Sequence, residues 1–355
     1  MKTPTSLALA MFVTFFAAGA SAQGSPSRHV SSGLLDVGQP FERVSGAPGR
    51  MTVQSRACRD LPSSAVRRRV VDLAAQEWSF FGFPVLDRLN DRLLMPPGAA
   101  RGPDPLRYVP MTSDRPPLLN SRESARVAAS IAGYWAVAPG GQGILADQNR
   151  AWDGPDGIGA RWVAPWSAAF ISWVMCEAGL GTTDRFRRAV AHHVYIDQAI
   201  RARDGHAPEA AFVAYEIGER SVQPGDLLCA SSRPRYRSIA ERRRQLGEGA
   251  RSHCDVVVEV DEAGKRILVI GGNVLRSVTL KVFPAGRDER GVLRPLAGTG
   301  LFAHLQLRAD PIEANALVLS PTVRMATCAS GGPLSPRTTL VFSSLALGTA
   351  AGRRC

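Results

Sequence analysis

The chain is nearly without lysine: Lys2, Lys265 and Lys281 are its only three, so arginine carries almost all of the positive charge behind a net charge of +12. Such a bias follows the coding composition of a genome more readily than a binding site. No basic stripe interleaved with aromatics accompanies it, so nucleic acid is not an expected partner. Metal-ligand spacing is missing too. The cysteines form no CxxC and the six histidines no HExxH, so neither a metal nor any other cofactor is expected. Long apolar runs are also lacking. The stretches 7–18 and 340–347 both fall well short of a membrane span.

What is present begins with an export signal. Lys2 gives a short basic start, residues 7–18 an apolar core, and Ala20-Ser21-Ala22 a small-residue cleavage pattern. Residues 1–22 therefore read as a signal peptide, which places the protein in the bacterial periplasm or outside the cell. An anionic envelope surface is then the natural electrostatic partner of a basic chain. Export also permits disulfides among Cys58, Cys176, Cys229, Cys254, Cys328 and Cys355, in many formal pairings. Oligomeric state is not legible.

Residues 23–61 are rich in Gly, Ser and Pro without a period and read as a flexible arm. A helix opens at Pro62-Ser63-Ser64, burying Val66, Val70, Leu73, Ala74 and Trp78. A second runs from Ser121 to about Trp135. The Gly-rich stretch 139–159 reads as a loop, and residues 186–200, with His192, His193 and Tyr195, as a helix. Residues 227–230 make a short strand. The arginine-rich stretch 231–252 reads as a solvated excursion between strands, with a grip on anionic glycan or lipid as the sharper alternative. Past residue 310 the pattern weakens, and 311–355 reads as a tail without an assigned role.

Two stretches carry the chemistry. Residues 164–179 predict a helix with Pro165 in its first turn and Gly179 just past its end; Phe170, Trp173, Val174 and Glu177 mark a largely apolar face. Ser167 falls in the first turn, where free N–H groups and the positive end of the helix dipole converge. That suits a nucleophile, and it equally suits a capping serine. The second stretch is a hairpin, 253–261 and 265–273, joined by Glu262-Ala263-Gly264. Pairing Asp261 with Lys265 sets His253 directly opposite Asn273. A nucleophile needs a base in reach and a third group to orient that base, and Ser167, His253 and Asn273 supply these types in order. The bland readings are a capping serine, a strand-end histidine and a turn asparagine.

Trp166-Ser167-Ala168-Ala169-Phe170, the Gly225-Asp226-Leu227 turn, the Ser252-His253 strand start and Gly271-Gly272-Asn273 together resemble the papain-like cell-wall amidases of the NlpC and CHAP type. Within that superfamily the pattern is most similar to a bacterial domain-of-unknown-function family sharing WSAAF, HCD and GGN. The resemblance covers about residues 63–307. It implies an α+β, papain-like domain over 62–310, a helical half packed on a small antiparallel sheet. It also implies amide-bond cleavage in peptidoglycan by Ser167, His253 and Asn273, with Trp166, His192 and Tyr195 along the substrate cleft. The departure lies at the nucleophile, which is cysteine in those enzymes. A thiol at a helix N-terminus beside histidine ionises, whereas a hydroxyl requires concerted general-base help. Cys176 projects from the far side of the Ser167 helix, and Cys254 points to the sheet face opposite His253, so neither supplies the thiol. Cys229 on the preceding strand faces Cys254, which allows a disulfide there. A silent member that binds wall peptides in the same groove is the alternative function.

Overall fold

In a computed structural model of the chain, the described residues are 38–88, 92–94, 109–110, 121–296, 298–328 and 345. The expected signal peptide 1–22 and most of the expected tail lie outside them. After a 3-10 turn at Pro40–Arg43 come β1 (Val44–Ser45), β2 (Thr52–Val53) and helix α1 (Ser63–Phe80). Strands β3 (Val85–Asp87), β4 (Arg92–Leu94) and β5 (Val109–Pro110) lead to four helices: α2 (Ser121–Ala136), α3 (Gly141–Trp152), α4 (Ser167–Glu177) and α5 (His193–Arg203). Then follow β6 (Phe212–Tyr215), β7 (Leu227–Arg233), α6 (Ile239–Arg243), β8 (Arg251–Asp261), β9 (Arg266–Val274) and β10 (Ser277–Arg287). Strands β11 (Leu293–Pro295) and β12 (Leu301–Leu307) and the short helices α7 (Ala316–Leu319) and α8 (Pro321–Cys328) close the described chain.

The architecture is mixed α+β. Instead of a small antiparallel sheet, the chain forms a ten-stranded sheet in the order β5-β4-β3-β10-β9-β8-β7-β12-β6, with β11 added on β10. The β3–β10 pair is parallel, so the sheet is mixed. The extra strands at one edge are short and come from 85–110, a stretch whose prolines conceal them.

Helix α4 is buried on every side, from Ser167 to Glu177, and not along one face only. It packs against α1, α2, β8 and β9. A helix apolar all round belongs at such a centre. Gly272 lets it sit close: a Cβ there would lie 2.6 Å from the Phe170 Cβ. Glu177 at its end is matched by Arg43, whose Nε donates to Glu177 Oε1 at 3.1 Å.

That ion pair and the Cys58–Cys176 disulfide fasten residues 38–61 to the core, where the sequence had predicted a flexible arm. The tail resumes order as well: α7 and α8 pack on α1. The expected loop 139–159 contains α3, because Leu145, Gln148 and Trp152 turn one side of a glycine-diluted segment into the core. Conversely, 186–192 is not helical. Ser172 Oγ donates to the Ala189 carbonyl and accepts from the Ala189 N–H, both at 2.9 Å, taking the groups a helix would have used. Nor is the arginine-rich stretch simply solvated. Ser238 caps α6, and Arg242 is buried in a two-pronged pair with Asp197 of α5, at 2.7 Å on each prong. The Cys229–Cys254 disulfide joins β7 to β8 where strand facing allowed it. No helix of the described residues is long and apolar enough to cross a membrane.

Candidate active site

The hairpin of β8 and β9 sets the frame of the site. Its loop has four residues, so Asp261 pairs with Arg266 and not with the predicted Lys265. A bulge between Val257 and Glu259 then absorbs the offset, and Val256↔Ile270 follows the register read from the sequence. Continued three residues further, that register carries His253 to Asn273. Both line one cleft of about 330 Å³, together with Arg88, Asp255, Lys281 and Thr299.

The sequence reading assigned Asn273 to hold the His253 ring; the bond is made by Asp255 instead. His253 Nε2 lies 2.9 Å from Asp255 Oδ1, whereas no hydrogen bond links His253 to Asn273 among the described residues. The physical reason is strand geometry: residues two apart share a face and stand side by side, while Asn273 sits at φ 57°, in the left-handed region of the β9 end. Gly271 makes room for the pair, since a Cβ there would fall 1.9 Å from Asp255 Oδ1 and 3.0 Å from His253 Nε2. Lys281 of β10 reaches the other carboxylate oxygen at 2.5 Å. Burial alone would raise the Asp255 pKa, but Lys281 and His253 together outweigh it and hold the carboxyl far below the usual range. An ionised carboxylate only accepts. His253 Nε2 therefore donates to the carboxylate, and Nδ1 is the ring nitrogen that this bond leaves unengaged.

Ser167 stands at the start of α4, as predicted, and accepts no capping role: no side-chain cap bond is made at that terminus. Its hydroxyl lies 2.7 Å from His192 Nε2. His192, expected along the cleft, is buried behind it. The Cys254 backbone N–H donates to His192 Nδ1 at 3.2 Å, and the Tyr195 hydroxyl bonds the same nitrogen. A backbone N–H is only a donor, so Nδ1 is unprotonated. Burial, and next the facing His253, push the His192 pKa well below its ordinary value, so the ring is neutral and its proton sits on Nε2. His192 therefore donates to Ser167 Oγ. The two imidazoles lie 5.1 Å apart between ring centres, and each donates through Nε2, His253 to Asp255 and His192 to Ser167.

Trp166 and Tyr195, expected along the cleft, are core residues. Trp166 packs on Phe81 and Tyr134, and Tyr195 on Phe186. Asp255 and Lys281 are the residues that sequence reasoning missed. The i, i+2 spacing of His253 and Asp255 on a strand was the available signal for the first; nothing local marked Lys281. Among the described residues no group of three or more His, Cys, Asp or Glu comes together to hold a metal ion.

Comparison with known proteins places this site in a family. The model of the family described as "Uncharacterized protein conserved in bacteria (DUF2272)" matches residues 128–305, a span that takes in Ser167, His192, His253, Asp255, Asn273 and Lys281. No curated protein and no solved structure matches the chain. The chain belongs to the DUF2272 family of bacterial proteins.

Proposed function

We propose that the protein is an exported hydrolase of papain-like type that cleaves amide bonds in peptidoglycan or its peptides. The observation that carries the reading is the His253–Asp255 pair, 2.9 Å apart, with the tautomer that leaves Nδ1 free at a cleft. A base so oriented is the core of a nucleophilic site, with Asp255 in the orienting role first given to Asn273. In this reading Ser167 Oγ attacks the carbonyl carbon and its proton passes to His253 Nδ1. His192 Nε2–H steadies the charge that develops on Oγ, and protonated His253 then delivers its proton to the leaving amine. Water reverses the sequence on the acyl-enzyme. Arg88 at the cleft suits the carboxylates of wall peptides. The two disulfides suit an oxidising compartment.

A second reading has its own observation. Ser167 makes no hydrogen bond to His253 and accepts one from His192, an arrangement that damps its nucleophilicity and favours a silent groove that binds wall peptides. Incubating the purified protein with peptidoglycan, and resolving soluble products by mass spectrometry, decides between them. Hydrolysis requires product release by the wild type and its loss in Ser167→Ala and His253→Ala. Retention on pelleted peptidoglycan without release sinks the hydrolase reading, and release only by Ser167→Cys identifies a silenced site.

A further inference from the structure

The turn from β9 to β10 is made of residues that resist its conformation. Val274 pairs with Ser277, so Leu275 and Arg276 form a two-residue loop, both at positive φ, 53° and 61°. Hairpins with two left-handed central residues are those that favour Asn-Gly, and a Cβ strains each position. Here the second position keeps an arginine. Arg276 lines a cavity of about 690 Å³ with Arg150, Arg161, Trp162, Asp156 and Ser124.

Charge in that cavity is unbalanced. Arg150 is answered by Asp147. Arg161 and Arg276 make no ion pair among the described residues, even with Asp156 in the same cavity, and Arg276 Nε is buried without a hydrogen-bond partner. Burial, and next the neighbouring Arg161 guanidinium, lower the Arg276 pKa. Among the described residues no ion pair offsets this repulsion, and an oxyanion between the two forks would.

We propose that Arg161 and Arg276 form a binding site for a carboxylate or phosphate group, beside the half-buried ring of Trp162. The strained turn presents Arg276 to this site, while Asn273 and Val274 at its other end line the His253 cleft, so a ligand in one cavity adjoins the other. The site stands whether or not Ser167 is a nucleophile.

Titration calorimetry of the purified protein with inorganic phosphate, and separately with succinate, tests the site and separates the two anions. Saturable binding of at least one, at or below about 1 mM, is expected, weakened tenfold or more in Arg161→Ala and in Arg276→Gly. Glycine removes the strain at φ 61°, so Arg276→Gly keeps or raises the melting temperature, and its loss of binding is not loss of fold. Arg290→Ala removes an exposed arginine paired with Asp288 and leaves affinity unchanged. Saturation by neither anion, equal affinity in Arg276→Gly, or equal weakening in Arg290→Ala overturns the proposal.

Discussion

His253 and Asp255 are separated by one residue in the chain and do the same job from one strand face: the carboxylate fixes which ring nitrogen holds the proton. Their pairing depends on Gly271, the only residue type that leaves room above the Asp255 carboxylate. Asp255→Asn presents a neutral group that donates as well as accepts, so the tautomer of His253 is no longer fixed. If the protein hydrolyses peptidoglycan, turnover falls by about 10²-fold or more while binding to the polymer persists. Gly271→Ala displaces the carboxylate sterically and produces the same loss, with a lower melting temperature in addition. Product release compared with sedimentation against peptidoglycan checks both; unaltered turnover in Asp255→Asn removes the carboxylate from the mechanism. His192 and Ser167 were each visible in the sequence, but their bond was not. They lie twenty-five positions apart on different elements, and only the fold determines which histidine meets the serine.

At the scale of elements, the hairpin shows how a register is read and where reading stops. The register near the site was read from a three-residue loop, and it holds there because the bulge at Val258 compensates a loop one residue longer than expected. Bulges leave little local trace in a run of valines. The two disulfides also act between elements, one between α4 and the segment before α1, the other between β7 and β8. Chain-entropy reasoning ranks them by the loop each closes: sequence separations are 118 and 25, respectively. Removing Cys58–Cys176 by a double alanine variant is expected to cost about 5 kcal/mol, and removing Cys229–Cys254 about 3.5 kcal/mol. Urea unfolding of the two variants measures the order, and a larger loss at Cys229–Cys254 contradicts it. Cys254 also lends its backbone N–H to His192, a bond that alanine at this position retains while β8 keeps its place.

At the scale of the whole molecule, the core holds carboxyls that resist ionisation. Burial raises Asp72, Glu77 and Glu259 to about 7, against the pull of Arg68 on Asp72 and of Tyr134 on Glu77, and with the added push of Asp261 on Glu259. The sign follows directly. Below the unfolded pKa near 4.5 a glutamic acid is protonated in both states and costs nothing. Between that value and about 7 the unfolded chain releases the proton while the folded chain retains it, so stability falls as pH rises, then levels off. His192 acts oppositely: its folded pKa is lowered, so the stability it favours is present above 6.5 and is lost as pH falls below that value. Glu259→Gln should therefore match the wild type near pH 4.5 and exceed it above pH 7, by on the order of 2 kcal/mol. Melting temperatures across that range test this, and parallel profiles for the two proteins reject it.

The sequence by itself determined the helices α1, α2 and α4, the β8–β9 hairpin, Ser167 at a helix start and His253 at the cleft. These depend on local periodicity, capping and alternation, which a single stretch expresses. Tertiary structure decided the rest. It gave the ten-stranded sheet, whose edge strands are two or three residues long and carry too little pattern to read. It drew residues 38–61 and the arginine-rich stretch into the core through Glu177, Cys176 and Asp197, partners remote in the chain. It also chose Asp255 over Asn273, buried Trp166 and Tyr195, and put His192 against Ser167. Each of those outcomes rests on which side chains meet across elements and on which protons burial and neighbouring charge then allow. Periodicity locates a residue on a face, and only packing assigns its partner.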